Sequence, residues 1–92
     1  MPGFHGCAFA NATAEAAPGS VEAQAAEEYR SWFRGLLTGL ATEAGARDPE
    51  LLGRQLQLLY DGGATTARMD RDPAVASLVC GTAAAFVDAA LA

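Results

Sequence analysis

An all-α fold of about four helices is what this sequence predicts, on three observations. Alanine, the strongest helix former and a residue depleted in strands, fills 22 of the 92 positions. Apolar residues recur at helical rather than alternating spacing through most of the chain. Three clusters of breaking and capping residues, Pro18-Gly19, Gly45-Ala46-Arg47-Asp48-Pro49 and Asp70-Arg71-Asp72-Pro73, then cut it into four segments. With 51% hydrophobic and 18% charged residues the composition is globular, and the length suits a single domain over residues 1–92.

The first segment, residues 6–17, is short and alanine-rich, with Cys7, Phe9 and Asn11 near its start. The second, residues 20–44, is the clearest amphipathic helix. Ala25, Tyr29, Trp32, Phe33, Leu36 and Leu40 fall on one side, and Gln24, Glu27, Ser31, Arg34, Thr38 and Thr42 on the other. Ser20 suits the N-cap, Glu22 complements the helix dipole, and Gly45 suits the left-handed position that ends the helix.

The third segment, residues 49–69, opens on Asp48-Pro49: an aspartate that can cap orphan N–H groups, then a proline with none to lose. Its narrow polar stripe is Glu50, Arg54, Gln57, Asp61, Thr65 and Arg68, with Glu50 and Arg54 spaced for an i,i+4 ion pair. Two apolar rows fill the rest: Leu52, Leu56, Leu59, Gly63 and Ala67, and Leu51, Gln55, Leu58, Gly62 and Met69. The fourth segment, residues 73–91, repeats the Asp-Pro opening and is apolar nearly all round. Val75, Leu78, Val79, Thr82, Phe86 and Ala89 line one face, and Ala76, Cys80, Ala84, Val87 and Leu91 the other. A helix apolar on both faces is covered on more than one side, and in so small a chain that cover is expected from a second molecule. The interface candidates are therefore Leu58, Gly62, Gly63, Leu78, Cys80, Ala84, Phe86, Val87 and Leu91, on either face of the last helix.

Several function classes lose support on composition. A net charge of −5, with six arginines and no lysine, supplies no phosphate-binding patch, so this chain alone is not expected to hold DNA. Cys7 and Cys80 show no ligand spacing and read as reduced packing residues. His5 is the lone histidine, and no third residue orients a His5–Cys7 dyad. No enzyme, no metal and no cofactor is expected. No basic-then-apolar leader is apparent, and the uncharged stretch 73–87 is shorter than the ~20 residues a membrane span requires. The expectation is a soluble, cytoplasmic protein with no membrane partner.

Two runs carry a resemblance. The first is Phe4-His5-Gly6-Cys7-Ala8-Phe9-Ala10-Asn11-Ala12-Thr13-Ala14-Glu15. The second runs from Ala44-Gly45-Ala46-Arg47-Asp48-Pro49-Glu50-Leu51 through Gln55-Leu56-Gln57-Leu58-Leu59-Tyr60-Asp61-Gly62. Together they resemble the C-terminal regulatory domain of TetR-type (tetracycline-repressor-type) transcriptional regulators, over about residues 4–91. Ala8 stands where that pattern often has proline, and the Ala17-Pro18-Gly19-Ser20 connection is shorter than usual. The resemblance implies a homodimer in which the last two helices of each protomer form a four-helix bundle. It also implies a pocket for a small apolar or amphipathic effector, with Phe9, Asn11, Tyr29, Trp32, Phe33, Leu36, Leu59 and Tyr60 as candidate contacts. DNA would be bound only through an N-terminal helix-turn-helix that this chain lacks. Without the resemblance, Tyr29, Trp32 and Phe33 suit a core as well as a pocket, and Asn11 suits a solvent-facing or backbone-bonded position.

Overall fold

A computed structural model describes residues 17–92, which form three helices: α1 (Val21–Glu43), α2 (Pro49–Asp70) and α3 (Ala74–Leu91). The expected first helix, and with it His5, Cys7, Phe9 and Asn11, lies outside the described residues.

The ends of these helices are set by local chemistry. Ser20 is extended and its Oγ accepts from the Ala23 N–H at 3.2 Å, closing the N-terminus of α1. At the other end Gly45 adopts φ +86, where a side chain would be strained. The N–H groups of Gly45 and Ala46 then donate back to the carbonyls of Thr42 and Ala41, both at 3.0 Å. This paired closure is the Schellman arrangement. Asp48 caps α2 by accepting from the Leu51 N–H at 3.1 Å, and Pro49 is its first residue, as the sequence predicts. Asp72 Oδ1 accepts from Ala74 N at 2.9 Å, while Pro73 sits one place before the helix with helical angles. The α2 terminus holds a feature that the sequence did not announce: Arg71 is left-handed at φ 50, with its N–H bonded to the Ala67 carbonyl.

The three helices lie in one layer. α2 packs against α1 on one flank and α3 on the other, and α1 and α3 do not pack on each other. The molecule is 14 Å thick in its thinnest direction, about one helix diameter. A single layer buries little. Ala26, Ala41, Leu52, Gly53, Gln57 and Val75 are buried, and no large side chain among the described residues is wholly enclosed.

The two seams differ in chemistry. Between α1 and α2, a Cβ on Gly53 would lie 2.5 Å from Thr38 Oγ1 and 3.2 Å from its backbone nitrogen, so glycine sets how closely the helices approach. Gln57, only 4% exposed, accepts from Arg34 Nε at 2.8 Å and donates to the Arg30 carbonyl at 3.2 Å. Arg30 also pairs with Asp61 at 2.9 Å. The polar stripe of α2 is therefore not wholly solvated. Gln57 and Asp61 of that stripe face the polar flank of α1 instead. The Glu50–Arg54 pair does not form; both side chains are exposed, and Arg30–Asp61 is the ion pair among the described residues.

Between α2 and α3 the contact is apolar. A Cβ on Gly63 would lie 2.5 Å from a Val79 methyl, with Leu52, Val75 and Phe86 along the same seam. The α1–α2 connection adds a clamp: the Arg47 N–H donates to the Ala90 carbonyl at 3.1 Å and its guanidinium to the Ala89 carbonyl at 2.6 Å. A cation on those orphan carbonyls also suits the negative end of the α3 dipole.

Two open apolar surfaces on opposite sides of the layer

Successive residues of an α-helix are rotated by about 100°, so the flank of each α2 residue follows from the two seams. Gly53 and Gln57 mark the flank facing α1, and Leu52 and Gly63 the flank facing α3. Two sides remain open. Leu51, Leu58, Gly62 and Met69 occupy one, and Tyr60, about 200° from Leu58, occupies the other.

The Tyr60 side is aromatic. The rings of Phe33 and Tyr60 meet edge-on at 5.3 Å between centroids, joining α2 to α1. Phe33 and Tyr29 stack at 6.3 Å, and Tyr29 and Trp32 lie 6.0 Å apart. Such aromatic pairs gain roughly 0.5–1.5 kcal/mol beyond their buried area. Leu36 and Leu40 continue the stripe along α1. The alternative that Tyr29, Trp32 and Phe33 are core does not hold for the described residues. Phe33 is half-buried, while Tyr29 is 47% and Trp32 62% exposed. α1 binds α2 through its small and polar flank and leaves its apolar stripe outward.

Of the effector candidates, the structure therefore brings together Tyr29, Trp32, Phe33, Leu36 and Tyr60 on one side. Leu59, one turn before Gly63, sits instead on the flank toward α3 and is half-buried there. Phe9 and Asn11 lie outside the described residues.

The opposite side is aliphatic and spans α2 and α3. Leu58 is 73% and Leu78 66% exposed. Leu51, Leu52, Gln55, Phe86, Ala89 and Ala90, closed at one end by Arg47 and Asp48, line a recess of about 350 Å³ on this side. Leu78, Ala85 and Ala89 are spaced seven and four residues apart, so they form one stripe of α3 bordering the recess.

The interface candidates consequently divide. Leu58, Gly62 and Leu78 lie on the aliphatic side, with Phe86 half-buried at its floor. Cys80, Ala84 and Leu91 form a separate stripe on the side of α3 opposite Leu78, with Val87 half-buried beside it. Gly63 serves the seam with Val79 inside the chain. Cys80 is exposed and unbridged, which corrects its reading as a packing cysteine; Cys7 lies outside the described residues. Among the described helices, α3 alone is long and apolar enough to cross a membrane, with a mean hydropathy of 1.8 over its 18 residues.

No protein-family model, curated protein or solved structure matches this chain.

Proposed function

We propose that this chain is the effector-sensing and dimerisation part of a TetR-type transcriptional regulator. One observation carries the reading: a single helical layer leaves two apolar surfaces open on opposite sides, one aromatic and one aliphatic. The aliphatic side suits a second copy. A two-fold contact pairs identical patches and leaves no open end, and a standard interface takes about 800 Å² from each partner. Leu58 and Leu78 would meet their counterparts across that axis. The aromatic side suits a small apolar or amphipathic effector, which ring faces bind over a large area with few polar groups.

α2 belongs to both surfaces, and this supplies a route for signalling. Tyr60 and Leu58 are two residues apart on opposite sides of one rigid helix. An effector that rotates or shifts α2 against α1 moves the dimer contact by the same rigid displacement. In a regulator that displacement would alter the spacing of two DNA-reading domains, so that the effector releases DNA. The role is binding and transmission, without catalysis, and its setting is the cytoplasm.

Sedimentation of the whole chain at micromolar concentration tests the dimer. A two-chain species is expected, with Leu58→Asp and Leu78→Asp each shifting it to monomer because each buries an unpaired charge at the contact. A wild-type chain that runs as a stable folded monomer, or that partitions into lipid vesicles through α3, overturns the reading. Trp32 is the sole tryptophan and reports on the aromatic side. A dimer whose Trp32 emission responds to no member of a panel of apolar and amphipathic compounds would be a homodimeric interaction module with no effector.

A further inference from the structure

On its aliphatic side the chain carries a knob and a hole. α2 and α3 run antiparallel: Gly63 lies against Val79, and at the other end the Arg47 N–H meets the Ala90 carbonyl. Leu78 is therefore level with Ala64 of α2. The recess lined by Leu51, Leu52, Gln55, Phe86, Ala89 and Ala90 is centred near position 53 of α2. Knob and hole thus lie about eleven residues apart, or ~16 Å along the helices. Leu58, 73% exposed, stands midway between them, and Ala85 of α3 is nearly level with it.

We infer that a second copy docks antiparallel on this side, about a two-fold axis that crosses α2 at Leu58 and α3 at Ala85, so that Leu78 of each protomer fills the recess of the other. The inference rests on the dimer proposed above and fixes how its two copies meet. That one rotation satisfies several features together. Leu58 meets its own copy on the axis, and Ala85 is small enough to let the two copies of α3 touch there. Leu78 lands over the partner's Ala89, where a recess of about 350 Å³ has room for a leucine side chain. Met69, 73% exposed on the same side, comes down beside the partner's Leu51. The charges match as well. Arg47 and Asp48, at the closed end of the recess, come level with the partner's Asp70, Arg71 and Asp72, all exposed. Arg47 then meets two carboxylates, and Asp48 an arginine. An axis running along the helices would set recess against recess, unfilled, and Arg47 against Arg47. The area is also sufficient. Two adjacent helices of about 20 residues present roughly 30 × 20 Å in outline. Surface relief raises that toward the ~800 Å² that each partner gives to a standard interface. Glu27 and Ser31, on the side of α1 away from Tyr29, confine the contact to α2 and α3.

The test uses the whole chain with Cys7→Ser and Cys80→Ser, sedimented first to establish that it is a dimer. Single cysteines are then introduced and oxidised at micromolar concentration; a disulfide needs its Cα atoms within about 7 Å. Leu58→Cys is expected to link to its own copy. Leu78→Cys is expected to link to Ala89→Cys in a mixed sample, and not to itself. A dimer in which Leu78→Cys links to itself, or in which either expected bond fails to form, overturns the antiparallel register while dimerisation stands. A monomeric chain overturns both. Asp70→Arg tests the register without touching an apolar contact. With helicity retained, it is expected to weaken the dimer severalfold at low salt and less at high salt. A dissociation constant that does not move at low salt overturns the proposal.

Discussion

The two helical hairpins of this molecule share a middle helix and little else. The α1–α2 hairpin is closed by hydrogen bonds: Gln57 bridges Arg34 and the Arg30 carbonyl, and Arg30 reaches Asp61. The α2–α3 hairpin is closed by shape, with Val79 over Gly63 and Leu52, Val75 and Phe86 beside it. Their connections differ in parallel. The first ends its helix on a left-handed glycine, Gly45, and the second on a left-handed arginine, Arg71. Directional bonds fix one register and penalise every other. Apolar contact adds adhesion with less demand on register. The same helix can therefore be keyed to one neighbour and merely adhere to the other.

The largest effect that would sharpen this contrast is expected at the key itself. Gln57→Ala removes the buried amide and both of its bonds, to the Arg34 guanidinium and the Arg30 carbonyl, a loss of about 2 kcal/mol at roughly 1 kcal/mol per bond. For a domain of this size the thermal midpoint should fall by about 8–16 °C, readable by circular dichroism. A midpoint within a degree or two of wild type would mean that the polar seam does not hold the hairpin.

Next comes the contrast between the two close glycines. At Gly53 an added methyl meets the Thr38 backbone, at 3.2 Å from its nitrogen and 3.3 Å from its Cα, which no side-chain rotation relieves. Overpacking of about 1–3 kcal/mol then outweighs the gain of about 1 kcal/mol in helix propensity, so Gly53→Ala is expected to destabilise by about 1 kcal/mol.

Arg71 tests the connections. A left-handed residue with a Cβ costs about 1–2 kcal/mol, of which the added freedom of unfolded glycine takes back about 0.4–1. Arg71→Gly should therefore raise stability in urea by about 0.5–1 kcal/mol and bring the second hairpin level with the first. A drop in midpoint would show that the Arg71 side chain contributes more than its backbone costs.

Gly63→Ala is the smallest expected effect. The methyl meets Val79 Cγ2 at 2.5 Å, but both other Val79 side-chain contacts are at 3.7 Å, so the side chain can turn aside. The propensity gain then offsets the shift, and stability should stay within about 0.5 kcal/mol of wild type. If Gly63→Ala proved as costly as Gly53→Ala, the distinction between a backbone stop and a side-chain stop would fail.

The helices and their ends were legible because each is set within a few residues. Ser20, Gly45, Asp48-Pro49 and Asp72 act where the sequence put them, through bonds to N–H or C=O groups no more than five residues away. Arg71 escaped notice because an arginine gives no signal for a left-handed conformation that glycine or asparagine would announce. Periodicity also grouped Tyr29, Trp32, Phe33 and Leu36 correctly on one stripe, and Tyr60 joins them because its ring meets Phe33.

What periodicity could not decide was which stripe turns inward. It separated an apolar from a polar side of α1 and marked a polar stripe on α2 without saying which of them meets a neighbour; the layer joins Arg30 and Arg34 to Asp61 and Gln57. Hydrophobic spacing measures how much apolar surface wants cover, and it carries no information about which molecule or segment supplies it. By itself the sequence determined three capped helices and two apolar stripes, because capping and amphipathicity are properties of single helices. Only the tertiary structure decided that Gly53 and Gln57 key α2 to α1 while the aromatic stripe faces outward. That choice depends on how closely two backbones approach and on whether buried polar groups find each other, and both are properties of pairs of helices.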